Sequence, residues 1–217
     1  MGQDMNFYGR RLLFIGAHPD DIELGAGALI AHVAGQADLL CVTLSDNQKN
    51  PSLSNLVEEH HRSMDILGVP KESRVLGPFE TRRFPDARQE ILEYFLDLNR
   101  NFKPEIVFVH TKSDLHQDHG TITEEALRAF RGTTVLGFDV LRSSYGFFPN
   151  FLVEVNDQDV ERKILALSQY ETYREKYYFS AEITRSTLIR NGALAERHYA
   201  EGFESLRIVG NFNCGNA

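Results

Sequence analysis

The sequence predicts an α/β fold on a doubly wound, mostly parallel sheet, and three observations carry the prediction. Short apolar runs of strand length, at residues 11–17, 37–44 and 105–110, are separated by stretches with helical character, the alternation that gives βαβ units with right-handed crossovers. The run at 105–110 is continuously apolar between Glu105 and its final His, as in a strand covered on both faces. Two of the runs are followed at once by segments rich in His and Asp, and open α/β sheets bind ligands at the carboxyl ends of their strands.

Taken in order, residues 11–17 form the first strand and residues 24–31 a buried helix. His18, Asp20 and Asp21 therefore sit on a strand-to-helix turn that Pro19 stiffens. Gly35 offers a C-cap, and residues 37–44 complete the first βαβ unit. Residues 45–54 are polar, contain Pro51, and read as a loop at the same sheet edge, a candidate substrate loop. Asn55 and Glu58 have the spacing of a capping box, opening a helix to Leu67 that Gly68 ends. Residues 74–77 read as a short third strand. Residues 86–100 read as an amphipathic helix that buries Ile91, Leu92, Phe95, Leu96 and Leu98.

Pro104 precedes the fourth strand, 105–110, and residues 111–120 pack two His and two Asp into the following turn, with helix continuing over 124–131. Residues 133–139 are the fifth strand; an aromatic, turn-rich stretch at 145–151 leads to a short strand ending near Val155. Ile164, Leu165 and Leu167 mark a helix over 160–170, residues 171–198 are charged and helical in pieces that close on 199–203, and 205–209 return as a strand. No repeat or linker interrupts the series, so residues 1–217 are expected to form one domain.

A formal charge of -8 without a Lys/Arg stripe argues against a nucleic-acid surface. Cys41 and Cys214 are far apart and neither belongs to a Cys-x-x-Cys pair, which excludes a disulfide framework and a thiolate zinc cluster; Cys41 reads as core and Cys214 as incidental. Residues 1–9 lack the features of a signal peptide, and no apolar run reaches the ~18 residues of a membrane span. A cytoplasmic location follows as the expectation.

Hydrolytic zinc typically takes three N or O ligands and leaves a position for water, and His18, Asp21 and His119 supply that set if the first and fourth strands are neighbours. Asp20, beside a ligating Asp21, is then the general base. Asp118 lies between His116 and His119, where a carboxylate favours a cationic His116 able to stabilise an oxyanion or protonate a leaving amine. His32, His60, His61 and His198 read as surface or packing residues, His110 as a core histidine, Glu23 as a helix-start acid, and the aromatics of 145–151 as core. Iron or another divalent ion fits the same ligand types.

Ala17-His-Pro-Asp-Asp-Ile-Glu-Leu-Gly25 together with Asp114-Leu-His-Gln-Asp-His119 resembles the paired signatures of the PIG-L-like (LmbE-like) zinc-dependent de-N-acetylases. The resemblance extends to residues 66–68, 149–150, 163–169 and 199–203. It implies a Rossmann-like three-layer sandwich with a mostly parallel central sheet, zinc on His18, Asp21 and His119, Asp20 as base, and His116 polarised by Asp118. It also implies that Asp114 orients its loop or touches substrate and that Arg190, in an Arg-x-Gly element, faces substrate. The substrate class so implied is an N-acetylated amino sugar or glycoconjugate, and the chain is compatible with a homo-oligomer. Two departures lie near the expected sugar rim: Asp46-Asn-Gln48 stands where many relatives have Asp-Gly-Glu, and Leu56 and Val57 stand where they have an Arg. Two other classes stay open, a metal-dependent esterase or phosphoesterase and a non-catalytic sugar-nucleotide-binding protein. The first would need ligands for a second metal, of which the sequence offers few; the second lacks a Gly-x-Gly-x-x-Gly turn.

Overall fold

The structure, a computed structural model, describes residues 7–47 and 49–210; Cys214, Gln48 and residues 1–6 lie outside the described residues. Strands β1 (Arg11–Gly16), β2 (Asp38–Thr43), β3 (Arg74–Leu76), β4 (Ile106–His110), β5 (Thr134–Phe138), β6 (Phe151–Val155) and β7 (Tyr199–Arg207) form one sheet in the order β3-β2-β1-β4-β5-β7-β6. The pairs from β3 through β5 are parallel, while β7 runs antiparallel to both β5 and β6. The helices are α1 (Asp21–Val33), α2 (Leu56–Leu67), α3 (Arg88–Asn101), α4 (Gln117–Ala129), α5 (Asp157–Leu167) and α6 (Ala181–Leu194).

The apolar runs are continuous because successive residues feed two cores. Leu12 and Phe14 of β1, Cys41 of β2, Phe108 of β4 and Phe138 of β5 pack with Ile22, Leu29 and Ile30 of α1 and Met64 of α2. Leu13, Ile15, Val42, Val107 and Val109 face the other way, onto Ile91 and Phe95 of α3 and Ile122 and Ala126 of α4. The result is the three-layer α/β sandwich that the alternation predicts. β1 lies between β2 and β4, so the chain steps outward on one side of β1 and returns on the other. The turns after β1 and β4 thereby meet at the switch point where such folds place ligands.

Two glycines let α1 seat closely. A Cβ at Gly25 would lie 2.8 Å from Phe138 Cβ with the Phe138 ring closer still, and one at Gly27 would lie 3.1 Å from Lys163 Cγ. Gly25→Ala is expected to destabilise the fold by about 1–3 kcal/mol through overpacking against β5; an unchanged midpoint in chemical denaturation would show that α1 can shift.

Several boundaries differ from the sequence reading. Asn55 has a helical backbone (φ -86°, ψ -10°) and makes no side-chain capping bond, because a 3₁₀ turn at Pro51–Leu53, capped by Asn50, runs almost directly into α2. The capping box is instead at Asn156 and Asp159, and it starts α5 at Asp157 rather than near residue 160. Residues 199–203 are not the end of a helical segment but the first half of β7, whose charged Glu201 is buried against Lys163. The 145–151 aromatics are not core throughout: Tyr145 and Phe148 are 82 % and 71 % exposed. No helix among the described residues is long and apolar enough to cross a membrane.

Candidate active site

At the end of β1 the chain reverses around Asp21, whose Oδ2 accepts from the backbone N–H of Ala17 at 3.0 Å and of His18 at 2.8 Å. Asp20 precedes α1 with φ 114° and makes no capping bond. A non-glycine residue there is strained, and such strain collects at functional sites. The carboxylate of Asp20 is left facing the cleft, not spent on the helix.

The turn after β4 is built on Asp114, which accepts from His116 N at 2.8 Å, from Ser143 and Ser144 hydroxyls at 3.0 and 3.1 Å, and pairs with His119 Nδ1 at 2.8 Å. Asp114 thus orients the loop and the imidazole; it is absent from the residues lining the cleft. His116 caps α4, its Nδ1 accepting from Asp118 N at 3.2 Å. The Asp118 carboxylate acts on His116 only through space, raising its pKa without a hydrogen bond to the ring among the described residues. It lies 3.0 Å from His18 Nε2 and accepts from Arg82 N at 2.6 Å, because the helical start of α4 turns it away from the imidazole two residues earlier.

Each of the two central histidines therefore has one ring nitrogen tied to a carboxylate, Asp118 for His18 and Asp114 for His119. Their other nitrogens converge: His18 Nδ1 and His119 Nε2 are 3.4 Å apart and lie 3.5 and 3.4 Å from Asp21 Oδ2. Tetrahedral bonds of about 2.0–2.1 Å put neighbouring donor atoms roughly 3.3–3.4 Å apart, so the three atoms fit a zinc-sized ion. The outer carboxylates match the way metal-binding imidazoles are oriented in general. His110, fully buried and stacked on His119 with ring centroids 3.7 Å apart, places Nε2 3.3 Å from Asp21 Oδ2. Two overlapping groups of possible ligands, His18/His116/His119 and Asp21/His110/His119, meet at His119.

The charges at this centre shift one another strongly. Burial opposes a charged His119, but Asp21 and Asp114 override it and push its pKa up to about 10. Burial likewise opposes an ionised Asp21, and His119 and His110 hold its carboxyl well below the usual range. Burial, with Asp21 and Glu23 adding to it, raises Asp20. His116 goes the other way: burial, then His119 and His18, lower it to about 4, so the expected cationic imidazole is neutral in this arrangement.

These groups open into a cleft of 530 Å³. Residues 45–47, 49, 50 and 53 of the expected substrate loop form part of its wall. Arg190 does not join it; it sits on α6 beside Asn191, 3.2 Å away, and the arginines that line the cleft are Arg82 and Arg142. Tyr145, Tyr173 and Tyr178 also line it. Tyr145 belongs to the aromatic stretch that the sequence reading assigns to the core; the other four carry no sequence signal, since they lie on loops or single 3₁₀ turns without a motif. The placing of His110 directly before the His/Asp turn was the one available signal for its role.

Residues 13–130, just over half of the chain, match the family described as PIG-L: GlcNAc-PI de-N-acetylase. The chain belongs to the PIG-L family. Curated relatives carry the same chemistry in their names. "Uncharacterized deacetylase YaiS" of Escherichia coli is 28% identical over 174 residues, 74% of this chain and 90% of the relative. The 1D-myo-inositol 2-acetamido-2-deoxy-alpha-D-glucopyranoside deacetylase of Salinispora arenicola is 25% identical over 67% of this chain, which spans only 58% of that relative. Among solved structures, the conserved protein TT1542 of Thermus thermophilus superposes with a TM-score of 0.78 at 21% identity, covering 96% of this chain and 100% of its own. GalB, a 4-carboxy-2-hydroxymuconate hydratase of Pseudomonas putida, does so with 0.71 at 19% identity, over 94% of this chain and 99% of its own. The PIG-L fold therefore does not name the reaction by itself.

Proposed function

We propose that this PIG-L family protein is a zinc-dependent hydrolase that removes the acetyl group from an N-acetylated amino sugar or glycoconjugate. The observation that carries the reading is the convergence of His18 Nδ1, His119 Nε2 and Asp21 Oδ2, each histidine held from behind by its own carboxylate. Zinc bound by these three residues would acidify a water and polarise the acyl carbonyl. Asp20, buried at the cleft floor and free of any capping bond, takes the proton as attack begins. His116 has its Nδ1 occupied as an acceptor, so the neutral ring carries its proton on Nε2 and donates it as a hydrogen bond to the developing oxyanion. The sugar class rests on the family description and on the acetamido sugar named for the Salinispora relative. A two-metal phosphoesterase is less well supported, because the two possible ligand groups share His119 and so do not make two independent sites.

The test is amine release from a panel of N-acetylglucosamine derivatives by metal-stripped protein with and without restored zinc. Zinc-dependent release from at least one member is expected; none from any, in protein shown to hold zinc, would overturn the reading. Asp114→Ala, which frees the back of His119, is expected to weaken zinc binding about 10–100-fold, with activity returning at high zinc concentration. Undiminished affinity in a competition titration with a chelating dye would remove Asp114 from this role.

A further inference from the structure

The two arginines that line the cleft reach it from opposite sides of the switch point, Arg82 from the loop after β3 and Arg142 from the loop after β5. Arg82 is an exposed non-glycine residue with φ 67°, a left-handed conformation that side chains rarely adopt. That conformation is clamped at both ends: Arg82 N donates to the Asp118 carboxylate and Arg82 O accepts from Gln117 Nε2 at 2.5 Å. The strained backbone is thus fixed to the same carboxylate that holds His18, and its guanidinium makes no ion pair among the described residues. Arg142 hydrogen-bonds the neutral Tyr178 hydroxyl, and the carboxylate that acts on it is Asp20 at the cleft floor.

The other charges along the wall cancel this pair only in part, Asp46 offsetting one of the two positive charges. Lys49 and Glu80 neutralise each other at 2.5 Å, and Asp46 stands on the β2-side loop. Two exposed guanidiniums over an acidic floor, in a chain of net charge -8, make a cleft with a cationic rim. Guanidinium forks match carboxylate and phosphate oxygens.

We propose that this rim is an anion subsite: the substrate carries a carboxylate or phosphate group beside its acetamido unit, bound by Arg82 and Arg142. The inference rests on the deacetylase reading for the acetamido unit alone; the anion preference itself is measured without turnover. Zinc-loaded protein is titrated calorimetrically with three amines that deacetylation would produce: glucosamine, glucosamine 1-phosphate and the 3-O-carboxyethyl ether of glucosamine. One anionic probe is expected to bind at least about tenfold more tightly than glucosamine, as charge-assisted hydrogen bonds warrant, and which of the two it is assigns phosphate or carboxylate. Arg82→Gln and Arg142→Gln, on separate loops, are expected to reduce that ratio by about tenfold each, and Arg82→Lys to recover part of it. Equal affinity for all three probes, or a preference that survives both glutamine variants, would overturn the subsite. Failure of deacetylation would appear only in the amine-release assay.

Discussion

An Asp20→Asn variant is expected to keep its metal and lose about 10²- to 10⁴-fold in turnover, the range a positioned general base supplies. Asparagine is the conservative choice because it tolerates the left-handed side of the backbone map better than most residues, and Asp20 holds φ 114°. The substitution touches no donor atom of the converging trio, since His18, His119 and Asp21 provide those. Nor does it remove a helix cap, because Asp20 makes none. Stability and zinc content should therefore stay near wild type while kcat falls, a separation that equilibrium dialysis and initial rates would show directly. Wild-type turnover in the variant would mean that proton transfer runs through His116 or solvent, and the role given to Asp20 would have to be dropped.

The convergence behind that prediction was legible because it depends on few variables. Strands buried on both faces leave continuous apolar runs, and the helical stretches between them force parallel pairing. Once β1 and β4 are adjacent, the turns that follow them must meet. What the sequence could not show was which carboxylate serves which imidazole. Asp118 is two residues from His116 and one from His119, yet its carboxylate goes to His18, a hundred positions away. Spacing along a chain says little about side-chain direction at a helix start, where one turn of rotation decides the partner.

Other partners were illegible for the same kind of reason. Glu23, which reads as a helix-start acid, is fully buried and bonded to His60 Nδ1 at 2.9 Å and to the Tyr170 hydroxyl, so His60 is a packing residue with a specific polar partner. Tyr170 follows α5, and no local pattern links it to α1. The sequence reading starts the last strand at residue 205, but β7 begins at Tyr199; it lies between β5 and β6 and is buried over its first five residues, the charged Glu201 included. A charge in a central strand makes sense only when its partner is known.

That partner supplies the second large effect: Lys163→Met is expected to destabilise the fold by about 3–5 kcal/mol, because it leaves a buried carboxylate uncompensated. Lys163 and Glu201 are 5 % and 2 % exposed and pair at 2.6 Å. The pair is also wedged into α1. Lys163 Nζ donates to Leu24 O at 2.6 Å, and Glu201 accepts from Ala28 N at 3.2 Å and Leu29 N at 2.7 Å. Gly27 leaves the room for the lysine stem that any Cβ would restrict. At this chain length the loss corresponds to a fall in Tm on the order of 10 °C. Replacing both partners by apolar residues, Lys163→Met with Glu201→Leu, removes the orphaned charge and should recover a large part of the loss, although the Ala28 and Leu29 N–H groups then lose an acceptor. A double variant no more stable than Lys163→Met would show that these helix contacts, not the ion pair, are what hold α1 to the sheet.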